Sequence, residues 1–177
     1  MKKELNDIEI ANAEIKYRNF AGAAGKYNAK GNRNFSLFLD PVTADELTAL
    51  GWNVKCLLPK EEGDQPQCHM KVDVGFKENT IPPKIILITS AGKRFLDADS
   101  VEILDYADIE YIDMVLNPYE WDVNGKTGVK AYLKAMYVTI HEDQFEKKYA
   151  DVPDAGMLSN IDEDHDGFVI DSNDTTF

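Results

Sequence analysis

The feature that most constrains this fold is the alternation of apolar and polar residues in short segments across residues 8–140. In the clearest segment, 70–76, apolar side chains occupy every second position and alternate with Lys71 and Asp73. Since successive side chains point to opposite faces of a strand, this period of two predicts half-buried β-strands. The run of isoleucine and leucine at 85–88 is apolar on both faces and predicts a central strand.

Further strand signals come from residues 52–58 and from a tight turn late in the chain. Segment 52–58 places Trp, Val, Cys and Leu at alternate positions, with Asn and Lys between them. The dipeptide Asn124-Gly125 separates segments 119–123 and 129–133. Because Asn and Gly readily adopt positive φ, these segments are predicted to form a hairpin.

Helical signals are few and short. Residues 43–46 have capping-box spacing, and Gly51 is suited to end the helix that follows. Segments 97–107 and 141–149 are weaker candidates. Many strands with one or two short helices predict a mainly β protein built as a closed or partly closed barrel.

Charge divides the chain into two parts. The formal net charge is -13, from 19 basic and 32 acidic residues. All basic residues and 24 acids lie in 1–150, whereas residues 151–177 hold eight acids and no Lys or Arg. We therefore predict a near-balanced domain over 1–150 and a flexible, disordered acidic tail over 151–177.

The ends of the chain and its cysteines favour a cytoplasmic protein. Residues 1–7 are charged and no apolar run follows them, so no secretory signal is predicted. Cys56 and Cys68 are too few for a disulfide framework and too widely spaced for a zinc knuckle. Reduced, cytoplasmic thiols are the expectation.

Catalytic and metal-binding motifs find little support. The three histidines are scattered, and the usual nucleophile, phosphate-loop and zinc-protease motifs are missing, so we expect no enzyme, cofactor or metal. Residues 162–169 match the opening of a calcium-binding EF-hand loop, but Asn173 stands where the bidentate acid is required. A calcium-binding or acidic adaptor protein using loop 162–173 is kept as an alternative.

The most informative stretch is 15–35, which contains no acid. Its cations are Lys16, Arg18, Lys26, Lys30 and Arg33, and its aromatic residues are Tyr17, Phe20, Tyr27 and Phe35. Cations that follow a phosphate backbone, interleaved with rings that stack on bases, are typical of single-stranded nucleic-acid binding. We expect Tyr27 to be available for stacking, and Tyr17 and Phe35 to be buried because each fits an alternating strand.

A second basic patch follows the Asn124-Gly125 turn. Its members are Lys126, Lys130, Tyr132 and Lys134. On an extended strand, 130, 132 and 134 share the face opposite Val129, Ala131 and Leu133. A solvated strand edge protected by lysines is the alternative interpretation. Because this patch occurs in the same chain as the acid-free stretch 15–35, nucleic-acid binding is favoured.

The chain ends in an acidic segment whose final residue is aromatic. Asp171 and Asp174 precede Phe177. This arrangement resembles the tails of bacterial and bacteriophage single-stranded DNA-binding proteins, which end in acids followed by Phe. Such a tail implies a partner-binding segment, here Asp171, Asp174 and Phe177, with a phage or host DNA polymerase or helicase as the expected partner.

Three segments of the body carry the same resemblance. Residues 17–22, 30–35 and 124–132 are similar to segments of OB-fold single-stranded DNA-binding proteins of tailed bacteriophages, and the likeness covers roughly 13–150. It implies an OB-fold-like five-stranded barrel with extra strands. The tail departs from the family pattern at 168–170, which is apolar, and at 175–176, where threonines replace acids.

The function that this resemblance implies is non-enzymatic. The protein is expected to coat and protect single-stranded DNA with little sequence preference during phage DNA replication, recombination and repair. It would act in the host-cell cytoplasm and away from membranes, and a homo-oligomer is compatible with this function. An RNA-binding OB-fold protein remains an alternative, because no residue distinguishes the two nucleic acids.

Overall fold

The computed structural model describes residues 5–142, 148–149 and 151–153. The strands are β1 Ile8–Ile10, β2 Glu14–Asn19, β3 Arg33–Leu39, β4 Val54–Leu57, β5 Gln67–Val74, β6 Lys84–Thr89, β7 Gly92–Leu96, β8 Ile109–Val123 and β9 Lys126–Ile140. One α-helix, α1, spans Pro41–Ala49, and a short 3₁₀ helix spans Val101–Asp105. The predicted mainly β class with few short helices is confirmed.

Strand pairing runs through the order β1-β8-β9-β5-β3-β2, with β4 added to β5 and the β6–β7 hairpin added to β9. The pair β5–β9 is parallel, and β1–β8 is antiparallel. The two end strands, β1 and β2, are consecutive in the chain, and between them the Ala13 N–H donates to Ile112 O at 2.7 Å. The bent β1–β2 segment thus connects the two ends of the sheet, as in an OB-like barrel.

The core lies inside this curved sheet. Its largest fully buried side chains include Phe20, Phe35, Leu37, Met70 and Leu116, and the rings of Phe20 and Phe35 stack with centroids 5.4 Å apart. The buried positions of β5 are Cys68, Met70, Val72 and Val74, and the last three are those that the alternation in 70–76 predicts. In β6 the consecutive residues 85–87 are all buried between β7 and β9, which confirms a central strand.

The predicted hairpin is confirmed as a pair of 15-residue strands, β8 and β9. Asn124 and Gly125 have φ of 54° and 79°, the left-handed conformation that a two-residue turn requires. Near this turn a Cβ on Gly128 would lie 2.5 Å from the ring of Trp121. Glycine is needed there because the half-buried Trp121 ring packs over its backbone.

Helix α1 begins before the predicted capping box. Asp40 is its N-cap, accepting a hydrogen bond from the Thr43 N–H at 2.9 Å, and Pro41 opens the first turn. Gly51, at φ +93°, follows the helix, and its N–H donates to Thr48 O. The predicted helix end is therefore correct, whereas its start moves to Pro41.

The prediction of reduced thiols is wrong. Cys56 and Cys68 are direct partners in the β4–β5 register and form a disulfide. Spacing along the chain could not reveal this, because the pairing depends on how two antiparallel strands align. The alternation in 52–58 is also incomplete: Trp52 is buried, but Leu58 is exposed because the chain has left the sheet after the edge strand β4.

The chain divides into a compact unit, Met1–Glu142, and a second unit, Asp143–Phe177. The boundary at 150 stays a prediction. Loop 162–173 and the tail residues Asp171, Asp174 and Phe177 lie outside the described residues. Within the described part of the chain, no helix is long and apolar enough to cross a bilayer.

Candidate nucleic-acid interface

The outer face of strands β2, β3, β5, β9 and β8 carries a row of polar side chains. In register, Asn19 lies opposite Asn34, Asn34 opposite Asp73, and Asp73 opposite Tyr132, which in turn pairs with Asn117. Because their sequence neighbours fill the core, these five side chains point outward across five strands. We call this set the polar row.

Two further rows lie on the same face. Lys16, Ser36 and Lys71 follow one another across β2, β3 and β5. Phe38, His69 and Lys55 follow across β3, β5 and β4. The barrel therefore presents lysines, amides and rings together on one side.

Three adjoining grooves cover this face. The first, of about 610 Å³, is lined by residues that include Tyr17, Tyr27 and Lys55. A second, of about 160 Å³, shares Lys71, Asp73 and Lys130 with it. The third, of about 530 Å³, shares Tyr132 with the second and adds Ile81, Tyr119 and Lys134. The shared lining makes one continuous surface, and its dimensions suit an extended chain with flat substituents.

Strand β2 and the β2–β3 loop each present one exposed tyrosine at one end of this surface. Tyr27 is 90% exposed, with Lys26 Nζ 5.3 Å from its ring centroid. Tyr17 is 79% exposed, so the expectation that it is buried is wrong. A β-bulge between Lys16 and Asn19, with φ of 54° at Tyr17, turns this ring outward. Phe35 is buried, as expected.

Internal hydrogen bonds define the loop conformation. The Asn28 side chain donates to the carbonyls of Ala23 and Asn32, each at 2.9 Å. The Gly31 N–H donates to Gly22 O at 2.8 Å. These bonds support the backbone beneath Tyr27, while Lys30 stays exposed.

The two arginines of the acid-free stretch bind main-chain carbonyls. Arg18 donates to Leu104 O and Ala107 O at 2.9 and 2.8 Å. Arg33 donates to Phe20 O at 3.0 Å and to Ala98 O at 2.8 Å. Both guanidinium groups thus connect the strands that flank the loop to segment 98–107.

Lys16 lies on the outer face beside acids. Its Nζ is 3.7 Å from a Glu14 carboxylate oxygen and 4.5 Å from the Phe38 ring centroid. The groove beside it, of about 500 Å³, is also lined by Glu9 and Asp40. Lys16 therefore lies at the acidic margin of the face.

The strand β9 places Lys130 and Tyr132 at the centre of the face. Asp73 Oδ2 lies 3.0 Å from Lys130 Nζ, and the Tyr132 ring packs edge-on against Tyr119 with centroids 5.8 Å apart. Burial lowers the pKa of Lys130, but the hydrogen bond and charge of Asp73 outweigh it and leave a net upward shift. Lys130 is therefore held charged.

The remaining lysines of the second patch differ in their surroundings. Lys134 forms an ion pair with Asp7, which also accepts a hydrogen bond from Asn117 at 2.7 Å. These hydrogen bonds to Lys134 and Asn117 lower the pKa of Asp7. Lys126 is exposed at the start of β9, next to the turn.

Sequence reasoning missed several residues of this face. They are Tyr17, Lys55, His69, Lys71, Lys77 and Tyr119, all of which line the three grooves. The signal was present for Lys55 and Lys71, since both occupy the polar phase of an alternating strand. The sequence pattern does not show the strand order, which brings β4 and β5 beside the acid-free stretch 15–35.

No group of three or more His, Cys, Asp or Glu side chains among the described residues is arranged to hold a metal ion. The EF-hand-like loop 162–173 lies outside that part of the chain. The chemistry available on the face is therefore ring stacking, hydrogen bonding and charge pairing.

Comparisons with known proteins fit this arrangement. Residues 1–175 match the model of the family described as "Putative phage ssDNA-binding domain". No curated protein shows significant sequence similarity to the chain.

Solved structures with a similar fold include the single-stranded DNA-binding protein from bacteriophage Enc34 in complex with ssDNA. Its TM-score is 0.51 and its sequence identity is 10%, and the match covers 78% of this chain and 89% of that chain. A C-terminal truncation of the Enc34 protein has a TM-score of 0.50 and 10% identity, covering 77% of this chain and 87% of that chain. At such low identity these matches establish the shared fold alone. The family match spans nearly the whole chain and confirms the resemblance inferred from the sequence: this protein belongs to the phage single-stranded DNA-binding domain family.

Proposed function

We propose that the grooved outer face binds single-stranded DNA with little sequence preference. The observation that carries this proposal is the continuity of the face, from Tyr17 and Tyr27 at one end to Tyr119 and Tyr132 at the other. Rings stack on any base, and lysines contact phosphates that are the same at every nucleotide. The Enc34 protein of similar fold was determined in complex with ssDNA, which supports the same use of the fold here.

Within this face, residues differ in the contact that we propose for them. Tyr27 and Tyr132 would stack on bases. Phosphates would contact the exposed lysines Lys26, Lys30 and Lys126 and, at the margins of the face, Lys16 and Lys134. Lys130, paired with Asp73, would support the stacking ring of Tyr132. Arg18 and Arg33 remain candidates through their free N–H groups, although their main-chain bonds indicate that their larger contribution is to hold the loop.

In the cell, we propose that the protein coats and protects exposed single strands during phage DNA replication and recombination in the host cytoplasm. The acidic tail would recruit a polymerase or helicase. An aromatic ring that follows acidic residues suits a small apolar pocket with a basic rim, and the acids would steer it there. Asp171, Asp174 and Phe177 are the tail residues that we assign to this role.

The binding proposal is tested by titrating fluorescein-labelled single-stranded dT, duplex DNA and RNA oligomers at two salt concentrations. We expect single-stranded DNA to bind far better than duplex, with affinity falling as salt rises. Tyr27→Ala should weaken binding by about 1–3 kcal/mol. Tyr106→Ala is the matched control, because Tyr106 is also 90% exposed but lines none of the three grooves.

Four outcomes would contradict the proposal or one of its parts. Equal affinity for duplex, or no binding at low salt, would reject single-strand binding on this face. Tighter binding of RNA than of DNA would favour the RNA-binding alternative. Equal losses in Tyr27→Ala and Tyr106→Ala would show that the ring of Tyr27 makes no specific contact.

The tail proposal is tested by two deletions. Removing 151–177 takes the formal charge from -13 to about -5 and reduces long-range repulsion of DNA, so affinity should rise, and rise most at low salt. Removing Phe177 alone keeps every side-chain acid, so DNA affinity should stay unchanged while co-precipitation of the replication partner is lost. Weaker DNA binding after the larger deletion would place the tail in the binding surface instead.

A further inference from the structure

A carboxylate lies at the centre of a face that we propose to bind a polyanion. Asp73 occupies the middle of the polar row, opposite Asn34 on one side and Tyr132 on the other. Its side chain is only 15% exposed, and each carboxylate oxygen faces a lysine: Oδ1 is 3.8 Å from Lys71 Nζ and Oδ2 is 3.0 Å from Lys130 Nζ. A buried charge in such a place requires partners, and both are present.

The two lysines beside Asp73 are held differently. Lys130 makes the short contact, is 39% exposed at its side chain, and lies with Nζ 5.3 Å from the Tyr132 ring centroid. Lys71 makes the longer contact and is 60% exposed at its side chain. Lys71 is therefore able to turn toward a ligand at little cost, whereas Lys130 is fixed between the carboxylate and the ring.

We propose that Asp73 is a positioning residue of the DNA-binding face: it fixes Lys130 against Tyr132 and keeps phosphates out of the polar row. Bases then occupy the row and stack on Tyr132, while phosphates follow Lys71 and Lys55 along its side. This inference rests on the proposed function and adds to it the path of the strand across the face.

Electrostatics explains why bases, and not phosphates, would occupy the polar row. A phosphate entering the polar row would meet the Asp73 carboxylate, a like charge in a partly desolvated site where screening is weak. A base carries no net charge and brings N–H groups, from which a carboxylate can accept a hydrogen bond. Lys130, already neutralised by Asp73, would displace few of the counterions condensed on the DNA, whereas Lys71 and Lys55 would each neutralise a phosphate and release its counterion.

The test is the salt dependence of binding of a dT oligomer to the full-length protein, measured for wild type, Lys71→Gln, Lys130→Gln and Asp73→Asn. The slope of log affinity against log salt reports how many phosphates are neutralised, at about 0.7 per contact for single strands. Lys71→Gln should reduce the slope by about 0.7. Lys130→Gln should leave the slope unchanged and lower affinity by about threefold to fivefold at every salt concentration, because Tyr132 loses the cation against its ring.

Asp73→Asn should change the slope in the opposite direction and make it steeper. The near-isosteric amide releases Lys130 to a phosphate, so the slope should steepen by about 0.7. A role confined to folding would change affinity through the folded fraction, which thermal melts measure, without adding a phosphate contact. If Asp73→Asn does not fold, the comparison of Lys130→Gln with Lys71→Gln decides the question.

Two results would overturn the inference. One is a slope for Lys130→Gln that falls as far as that of Lys71→Gln, which would make Lys130 an ordinary phosphate ligand. The other is an unchanged slope in a folded Asp73→Asn protein. Failure of the wild-type protein to bind dT would instead reject the proposed function, so the two failures are distinguishable.

Discussion

The acid-free stretch 15–35 and the β9 patch 126–134 are both rich in cations, yet the structure uses those cations differently. In the first region, arginines bind carbonyl oxygens of the protein itself, while Lys26 and Lys30 extend into solvent. In the second, Lys130 and Lys134 are paired with acids that are far from them in the sequence.

This difference shows what a count of charges along the chain leaves out. A cation that a carbonyl or carboxylate of the protein already holds must give up or share that contact before it binds a phosphate. Arg18 meets its carbonyls 86 and 89 positions away, and Lys134 meets Asp7 across 127 positions. Local sequence identifies basic regions, and the tertiary fold then divides each into structural and exposed cations.

The difference between structural and exposed cations is tested most directly by removing one of each kind from the acid-free stretch 15–35. Arg33→Met should destabilise the protein by about 3 kcal/mol, because two hydrogen bonds from a charged donor to partly buried carbonyls are lost. Lys30→Met should change stability by less than about 0.5 kcal/mol, as is usual for an exposed side chain. Urea denaturation of both variants measures the difference, and equal stabilities would show that the arginine bonds contribute little.

A second prediction compares one aromatic residue from each region, Tyr27 and Tyr132. Tyr27→Ala should lower affinity for single-stranded DNA by about 1–3 kcal/mol and leave stability unchanged, since the ring is 90% exposed. Tyr132→Ala should lower affinity by a similar amount and also cost about 1 kcal/mol of stability, because the edge-on contact with Tyr119 is lost. Binding titrations paired with thermal melts separate the two effects. A Tyr132→Ala protein as stable as wild type would contradict the packing role.

The contrast also explains which parts of the structure could be predicted from sequence. Three predicted features are confirmed: the alternation of buried side chains in β5, the buried run in β6 and the Asn124-Gly125 turn. Each depends on neighbours within a few positions of the chain. The assignment of the barrel follows from the number and spacing of such strands. These features are local, so the sequence determines them directly.

The remaining features depend on register or on long-range contacts. The Cys56–Cys68 bond exists because β4 and β5 align those residues, and a single-residue slip would separate them. Tyr17 is exposed because a bulge interrupts β2, and no pattern in 14–19 marks it. Lys71 joins the candidate site only because β5 lies beside β3 and β9.

The smallest expected effect concerns the ion pair in the second region, Lys134 with Asp7. The folded protein lowers the pKa of Asp7 below its usual value, mainly through the hydrogen bond from Lys134. A carboxyl whose pKa is depressed on folding stabilises the protein at pH values above its unfolded pKa, and this stabilisation is lost as pH falls through the folded value. Both side chains are partly open to water, so screening keeps the contribution below about 1 kcal/mol at pH 7.

Lys134→Met should therefore reduce stability slightly at pH 7 in low salt. The difference from wild type should shrink as pH falls below the usual Asp pKa of about 3.9, and disappear below the lowered folded pKa, where Asp7 is protonated in both folded and unfolded chains. It should also shrink in 1 M salt, because surface ion pairs are screened. Asp7→Asn serves as the matched control, since it removes the same titration from the other side of the pair. Urea melts across pH 2.5–7 measure both variants. A Lys134→Met difference that persists unchanged at low pH would show that Lys134 stabilises the protein by something other than its ion pair with Asp7.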